Sequence, residues 1–204
     1  MLSSIHPFGE RSRNNRFAGT AVAHVLGSTI GGVILGVLAG AIGAVFTSLL
    51  AIPTMARTAI VVVAAAIATY LEATKRECLL PTRTRQVNEN WIQSYRGWIY
   101  GAGFGAELGF GVSTIITTTL VHLLVVSMVL VGDPVTAAFL GGLFGFVRGA
   151  TLLTAARVDS PERLRIFHQR LDRFRDRSRV GAVASLGTAT AIGLWAVSGL
   201  GSPL

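Results

Sequence analysis

FAGTAVAHVLGSTIGGVILGVLAGAIGAVF, residues 17–46, runs for about thirty residues with no acidic side chain, no lysine and no arginine. A helix needs roughly 20 apolar residues to cross a hydrocarbon core of about 30 Å, so this stretch decides the class of the chain. Arg11, Arg13 and Arg16 stand just before it. Basic residues ahead of an apolar run also open a signal peptide, but there the apolar region is only about 7–15 residues long. The stretch therefore reads as a retained first membrane span.

The same alternation continues along the chain. Of 18 Lys and Arg residues, all but Arg57 and Arg148 fall in three patches. The first holds Arg11, Arg13 and Arg16, the second Lys75, Arg76, Arg83, Arg85 and Arg96, and the third lies between Arg157 and Arg179. The apolar stretches between them predict spans at about 17–46, 56–74, 97–131, 134–155 and 180–200. The expected fold is all-α, a polytopic membrane helix bundle with about five transmembrane helices in a plasma membrane. Residues 1–16 form a cytoplasmic N-terminal segment, and 17–204 form one transmembrane domain with cytoplasmic loops 75–96 and 156–179. Cytoplasmic loops carry an excess of Lys and Arg, which places the N-terminus in the cytoplasm and the C-terminus outside.

Composition agrees with that class. Charged residues make up 14% of the chain, hydrophobic residues 51%, and the mean hydropathy is +0.59. A soluble domain carries about 25% charged residues. The net charge of +8 does not point to nucleic acid, because the cations sit in loops between spans. One cysteine, Cys78, excludes a disulfide scaffold or a cysteine metal cage. His6, His24, His122 and His168 are scattered along the chain, so no metal or other cofactor is expected.

Two amphipathic helices are expected beside the spans. Trp91, Ile92, Tyr95, Trp98 and Ile99 share a helical face leading into the third span. Ser160-Pro161-Glu162 opens the second, whose stripe is Leu164, Phe167, Leu171 and Phe174. Its arginines stand ready for anionic lipid headgroups, or the helix packs beneath the bundle. Three spans carry glycine at four-residue spacing: Gly32, Gly36 and Gly40; Gly101, Gly105 and Gly109; and Gly141, Gly145 and Gly149. Small residues let membrane helices approach closely. Spans one, three and four are expected to form an inner group. Glycine faces also offer a surface for a second copy or a partner membrane protein.

Candidate functional residues are the polar groups placed within apolar stretches, where a central charge costs roughly 2.5–3.5 kcal/mol. On one continuous helix, Glu107, Thr114, Thr118 and His122 would fall with Gly111 within an arc of about 80°. Arg148 lies on the glycine face of the fourth span, and His24 is at comparable depth on the first. A Glu107–Arg148 ion pair with His24 nearby is the sharpest expectation. Against it stand an Arg148 that reaches the headgroups, threonines bonded to their own helix, and a neutral His122 near the outer surface.

Ala23-His24-Val25-Leu26-Gly27 through Ala44, Ala59–Leu71 and Gly103-Phe104-Gly105-Ala106-Glu107-Leu108-Gly109-Phe110 resemble successive spans of the CcdA/DsbD thiol–disulfide electron carriers. Gly132–Leu153 and Val180–Gly199 resemble the last two. That resemblance implies a reactive Pro-Cys pair, where this chain has Val112-Ser113. A dithiol carrier needs two thiols within bonding reach, so the family's redox chemistry is not expected to carry over. The His6-Pro7-x-Gly9-Glu10-Arg11 start and the Arg85-Gln86-Val87-Asn88-Glu89 loop also resemble uncharacterised bacterial membrane proteins.

No HExxH motif or P-loop occurs, and Ser113 and His122 lie about 13 Å apart along one helix, too far to form a nucleophile–base pair. The chain is read as non-enzymatic. Transport of a small solute or ion is the first expectation. An accessory subunit for a partner membrane protein is the second, and a degenerate relative of the electron carriers the third.

Overall fold

A computed structural model of the chain describes residues 5–76, 94–111 and 118–200. The regular elements among them are helical. They are α1 (Pro7–Ser12), α2 (Phe17–Leu49), α3 (Thr54–Ala73), α4 (Gly97–Gly109), α5 (Thr119–Val131), α6 (Pro134–Ala150) and α7 (Pro161–Leu200). A 3-10 turn, Thr151–Arg157, continues α6. Three helical stretches among the described residues are long and apolar enough to cross a membrane: Phe17–Leu49, Thr54–Ala73 and Pro134–Arg157.

Local chemistry sets the ends of these helices. His6 accepts the Gly9 amide on Nδ1 and precedes Pro7, which needs no amide partner in the first turn. Between α2 and α3, Ala51 takes a left-handed turn with φ of 47°, and Arg57 Nε donates to the Ile52 carbonyl at 2.9 Å. Gly132, at φ of 64°, stops α5, and Asp133 then caps α6 by accepting the Thr136 amide at 2.7 Å.

The hydrogen bonds from the Thr136 side chain and amide hold the exposed Asp133 carboxyl below its ordinary pKa. A lowered folded-state pKa stabilises above the unfolded value, near 4, and that contribution disappears as pH falls through the folded value. Asp133→Ala should therefore melt below wild type at pH 7 in detergent, with the gap closing below about pH 4. A gap that does not change with pH contradicts the cap.

α2 lies at the centre. α4 runs parallel to it, with Gly101, Gly105 and Gly109 against the backbone of Thr20, His24 and Ser28. α6 runs antiparallel on another side, with Gly141 against Gly32, Gly145 against Ser28 and Ala137 against Gly36. A methyl group on any of these glycines would overlap a facing backbone carbonyl or the atoms beside it. Ser28 is the three-way junction, and its Oγ donates to the Gly145 carbonyl at 2.6 Å. The inner group expected from the glycine ladders is thus the packing observed. The same ladders are covered within the chain, so they are not the exposed docking faces that the sequence suggested.

Two apolar clusters fill the contacts. Ile5, Ala21, Tyr100, Phe104 and Leu152 pack at the basic end of the bundle. Leu35, Ala39, Met128 and Ala137 pack further along α2. α3 packs on α5 and α7, and Leu186 of α7 is fully buried there. Outward-facing Val22, Leu26, Ile30, Leu38 and Ile42 of α2 are half or more exposed. Such a surface suits lipid and would be an aggregation hazard in water.

Three expectations are corrected. The third span is not one helix over 97–131. It is two short helices, each about 20 Å long, which is too short to cross a bilayer alone. The fifth span and the amphipathic helix before it are one helix of 40 residues, about 60 Å long. The second begins at Thr54, two residues early, because Pro53 takes an extended conformation and starts it there.

Candidate functional site: the interruption between α4 and α5

α4 stops for a backbone reason. Gly111 takes a left-handed conformation, φ of 63°, and its amide bonds back to the Leu108 carbonyl at 3.2 Å. The same carbonyl accepts Arg148 Nη1 at 3.2 Å, and the Arg148 guanidinium lies 5.5 Å from the centre of the Phe144 ring. The last carbonyls of a helix lack intrahelical partners and carry a partial negative charge. A guanidinium there supplies both a donor and the complementary charge.

α5 starts with the opposite arrangement. Thr118 is extended and accepts the Leu120 amide at 3.3 Å. Glu72, on α3 and only 3% exposed, takes the next donors on Oε2: the Thr119 amide at 2.9 Å and the Thr119 hydroxyl at 2.8 Å. The Thr118 hydroxyl donates to the same oxygen at 3.4 Å. A carboxylate at a helix N-terminus meets unpaired amides and a partial positive charge. The end of α4 and the start of α5 are therefore held by groups of opposite charge, contributed by α6 and α3.

The structure distributes the sequence candidates around this interruption. Glu107 is half-buried, two residues before the end of α4, and Thr118 is the cap of α5. His122 is half-buried one turn into α5. Thr114 lies outside the described residues. His24 is buried on α2, its ring hydrogen-bonded to the Gly101 backbone and its Nδ1 without a partner. The comparable depth of His24, Glu107 and Arg148 is observed, since Gly105 meets His24 and Gly149 meets Val25 and Ser28. Arg148 Nη1 reaches the Leu108 carbonyl, one residue beyond Glu107. Glu107 lies on α4, and Thr118 and His122 lie at the start of α5, a separate helix.

Two buried carboxylates escaped the sequence reading. Glu72 stands just before Lys75 and Arg76 in the sequence. Its partner lies 47 positions away, and only the run Thr117-Thr118-Thr119 hinted at a helix start. Glu10 is fully buried where α1 folds against α2 and α4. It accepts the Tyr100 hydroxyl, Thr20 Oγ1 at 2.9 Å and Arg13 Nη2 at 3.1 Å. Gly97 leaves room for this cluster, since a methyl there would meet Thr20 Oγ1 and Glu10 Oε2. The N-terminal segment is thus tied to the bundle rather than merely preceding it.

Among the described residues no group of three or more His, Cys, Asp or Glu side chains could hold a metal ion. The arrangement is one of charge compensation at helix ends, built in a helical protein whose long apolar helices suit a membrane. Comparison with protein-family models, with curated proteins and with solved structures finds no match to the chain.

Proposed function

We propose that the chain is a multi-pass plasma-membrane protein that moves a small solute or ion, with the interruption between α4 and α5 as its working site. The five crossings are α2, α3, α4 with α5, α6 with its 3-10 turn, and the apolar half of α7. The N-terminus is cytoplasmic and the C-terminus outside, as the positive-inside rule requires. The observation that carries this reading is the pair of helix ends held by Arg148 and Glu72. Helix ends at membrane depth are tolerated where protein or a watery cavity satisfies their backbone groups. Transporters use such half-helix ends to hold charged cargo. The Glu72 carboxylate accepts its described hydrogen bonds on one oxygen, Oε2, which leaves Oε1 to accept a proton or a cation.

Flux in proteoliposomes tests the proposal. Purified protein should carry at least one of proton, potassium or chloride current above that of empty vesicles. Glu72→Gln and Arg148→Gln should each lower that current tenfold or more while the protein stays folded. Absence of all three currents, or variants as active as wild type, contradicts transport. An accessory role is the second reading, favoured by α7. That helix packs chiefly on α3, and Ile192, Leu194 and Trp195 remain more than half exposed.

A further inference from the structure

A cleft of about 720 Å³ lies between the 3-10 turn at the end of α6 and the first turns of α7. Its apolar wall is Leu153, Ile166 and Phe167, and its basic rim is Arg157, Arg163 and Arg170. On α7, Arg163, Ile166, Phe167 and Arg170 follow the spacing of one helical face, so cations and apolar groups point into the same space. Arg163 is already positioned, donating to Asp159 Oδ2 at 2.8 Å and to the Arg157 carbonyl at 3.5 Å. The cleft does not end at its own wall. Leu153 continues an exposed apolar face of α6 through Phe146, Leu143 and Phe139, each more than half exposed.

We propose that this cleft binds one anionic membrane phospholipid. The phosphate sits among Arg157, Arg163 and Arg170, and an acyl chain runs from Leu153 along the face of Phe146 and Phe139. Three observations choose this occupant. The rim supplies guanidinium donors in the fork geometry that suits phosphate. The wall is apolar, which a free inorganic anion does not need. The apolar face beyond it runs along a helix of membrane-spanning length, so head and tail are both accommodated. Basic pockets at the cytoplasmic level of membrane helices take lipid headgroups on the same physical grounds. The inference rests on the chain being a membrane protein and is independent of transport.

Lipid retention by the detergent-purified full chain, read by native mass spectrometry, tests it. The probes are phosphatidylglycerol, phosphatidylcholine with the same acyl chains, and inorganic phosphate. Wild type should retain phosphatidylglycerol in preference to phosphatidylcholine, and millimolar phosphate should not displace it. Each basic residue near an anionic headgroup contributes a several-fold gain, so Arg157→Gln/Arg163→Gln/Arg170→Gln should weaken retention between about tenfold and about a hundredfold. Leu153→Ser/Ile166→Ser should weaken it as well, because the tail loses its wall. Arg11→Gln/Arg16→Gln/Arg96→Gln, which removes equal charge from exposed positions elsewhere, should stay within about twofold of wild type. Three results overturn the proposal: equal loss in that control, equal retention of phosphatidylcholine, or displacement by phosphate, which marks a free-anion site. Should the cleft triple variant fail to fold, the single exposed Arg170→Gln carries the test with a several-fold loss, and wild-type retention overturns it.

Discussion

Gly109→Val is expected to leave little folded protein, with a loss of about 3 kcal/mol or more in detergent unfolding. A side chain there overlaps the carbonyl of Ser28 and sits 2.8 Å from its Cα, so α4 must move away from α2. Helices in lipid gain little from hiding apolar side chains from one another. Their association depends on close backbone approach, which this substitution removes. Ser28 also meets Gly145 of α6, so the displacement spreads to a third helix. Gly32→Val should behave alike, because its site faces the backbone of Gly141 and Gly145. Gly187→Ala is the internal control. Nothing lies within 4 Å of a methyl at that position, and alanine is the better helix former, so stability should hold or rise slightly. Equal destabilisation at Gly109 and Gly187 would contradict close backbone packing as the cause, since a methyl at Gly187 meets nothing and propensity favours alanine there.

Glu72→Leu is expected to cost about 3 kcal/mol or more, concentrated in α5. It leaves the Thr119 amide and hydroxyl without their carboxylate acceptor at a fully buried position. An unpartnered buried polar group costs about 1–3 kcal/mol, and more when water cannot replace the lost acceptor. Glu72→Gln keeps a carbonyl oxygen at the site but loses the charge facing the helix N-terminus, so it should cost about 1–2 kcal/mol. Hydrogen exchange separates the two mechanisms. In Glu72→Leu, protection should fall first at Thr119 through His122, while α2 keeps its protection until global unfolding. Uniform loss over all helices would show that Glu72 supports the bundle rather than the start of α5.

The parts of this fold written into neighbouring residues were legible in the sequence. Residues 17–46 gave a helix by their apolar length, and the glycines at four-residue spacing gave its partners, because both signals sit on one face of one element. The interruption at Gly111 was harder. Hydropathy stays high across it, and glycine is common in membrane helices. Length does not mark it either, since α2 runs unbroken for 33 residues, about 50 Å. α7 erred in the opposite direction. A change from charged to apolar residues near Val180 looked like a boundary, yet no proline breaks the chain between Glu162 and Leu200. The site was half legible. Arg148 was identified because charge topology does not require it. Its acceptor, a backbone carbonyl on another helix, has no side-chain signature. Glu72 and Glu10 owe their roles to Thr119 and Tyr100, which tertiary packing alone brings near.

Water access to the interruption tests the central claim most directly. In a Cys78→Ser background, single cysteines replace Glu107 and Thr118, with Ile42 and Phe139 as exposed apolar controls. Protein in proteoliposomes then meets a charged, membrane-impermeant thiol reagent from either side. The cysteines at 107 and 118 should be labelled and those at 42 and 139 should not. Labelling at 107 and 118 no greater than at the two controls would contradict a working site between α4 and α5.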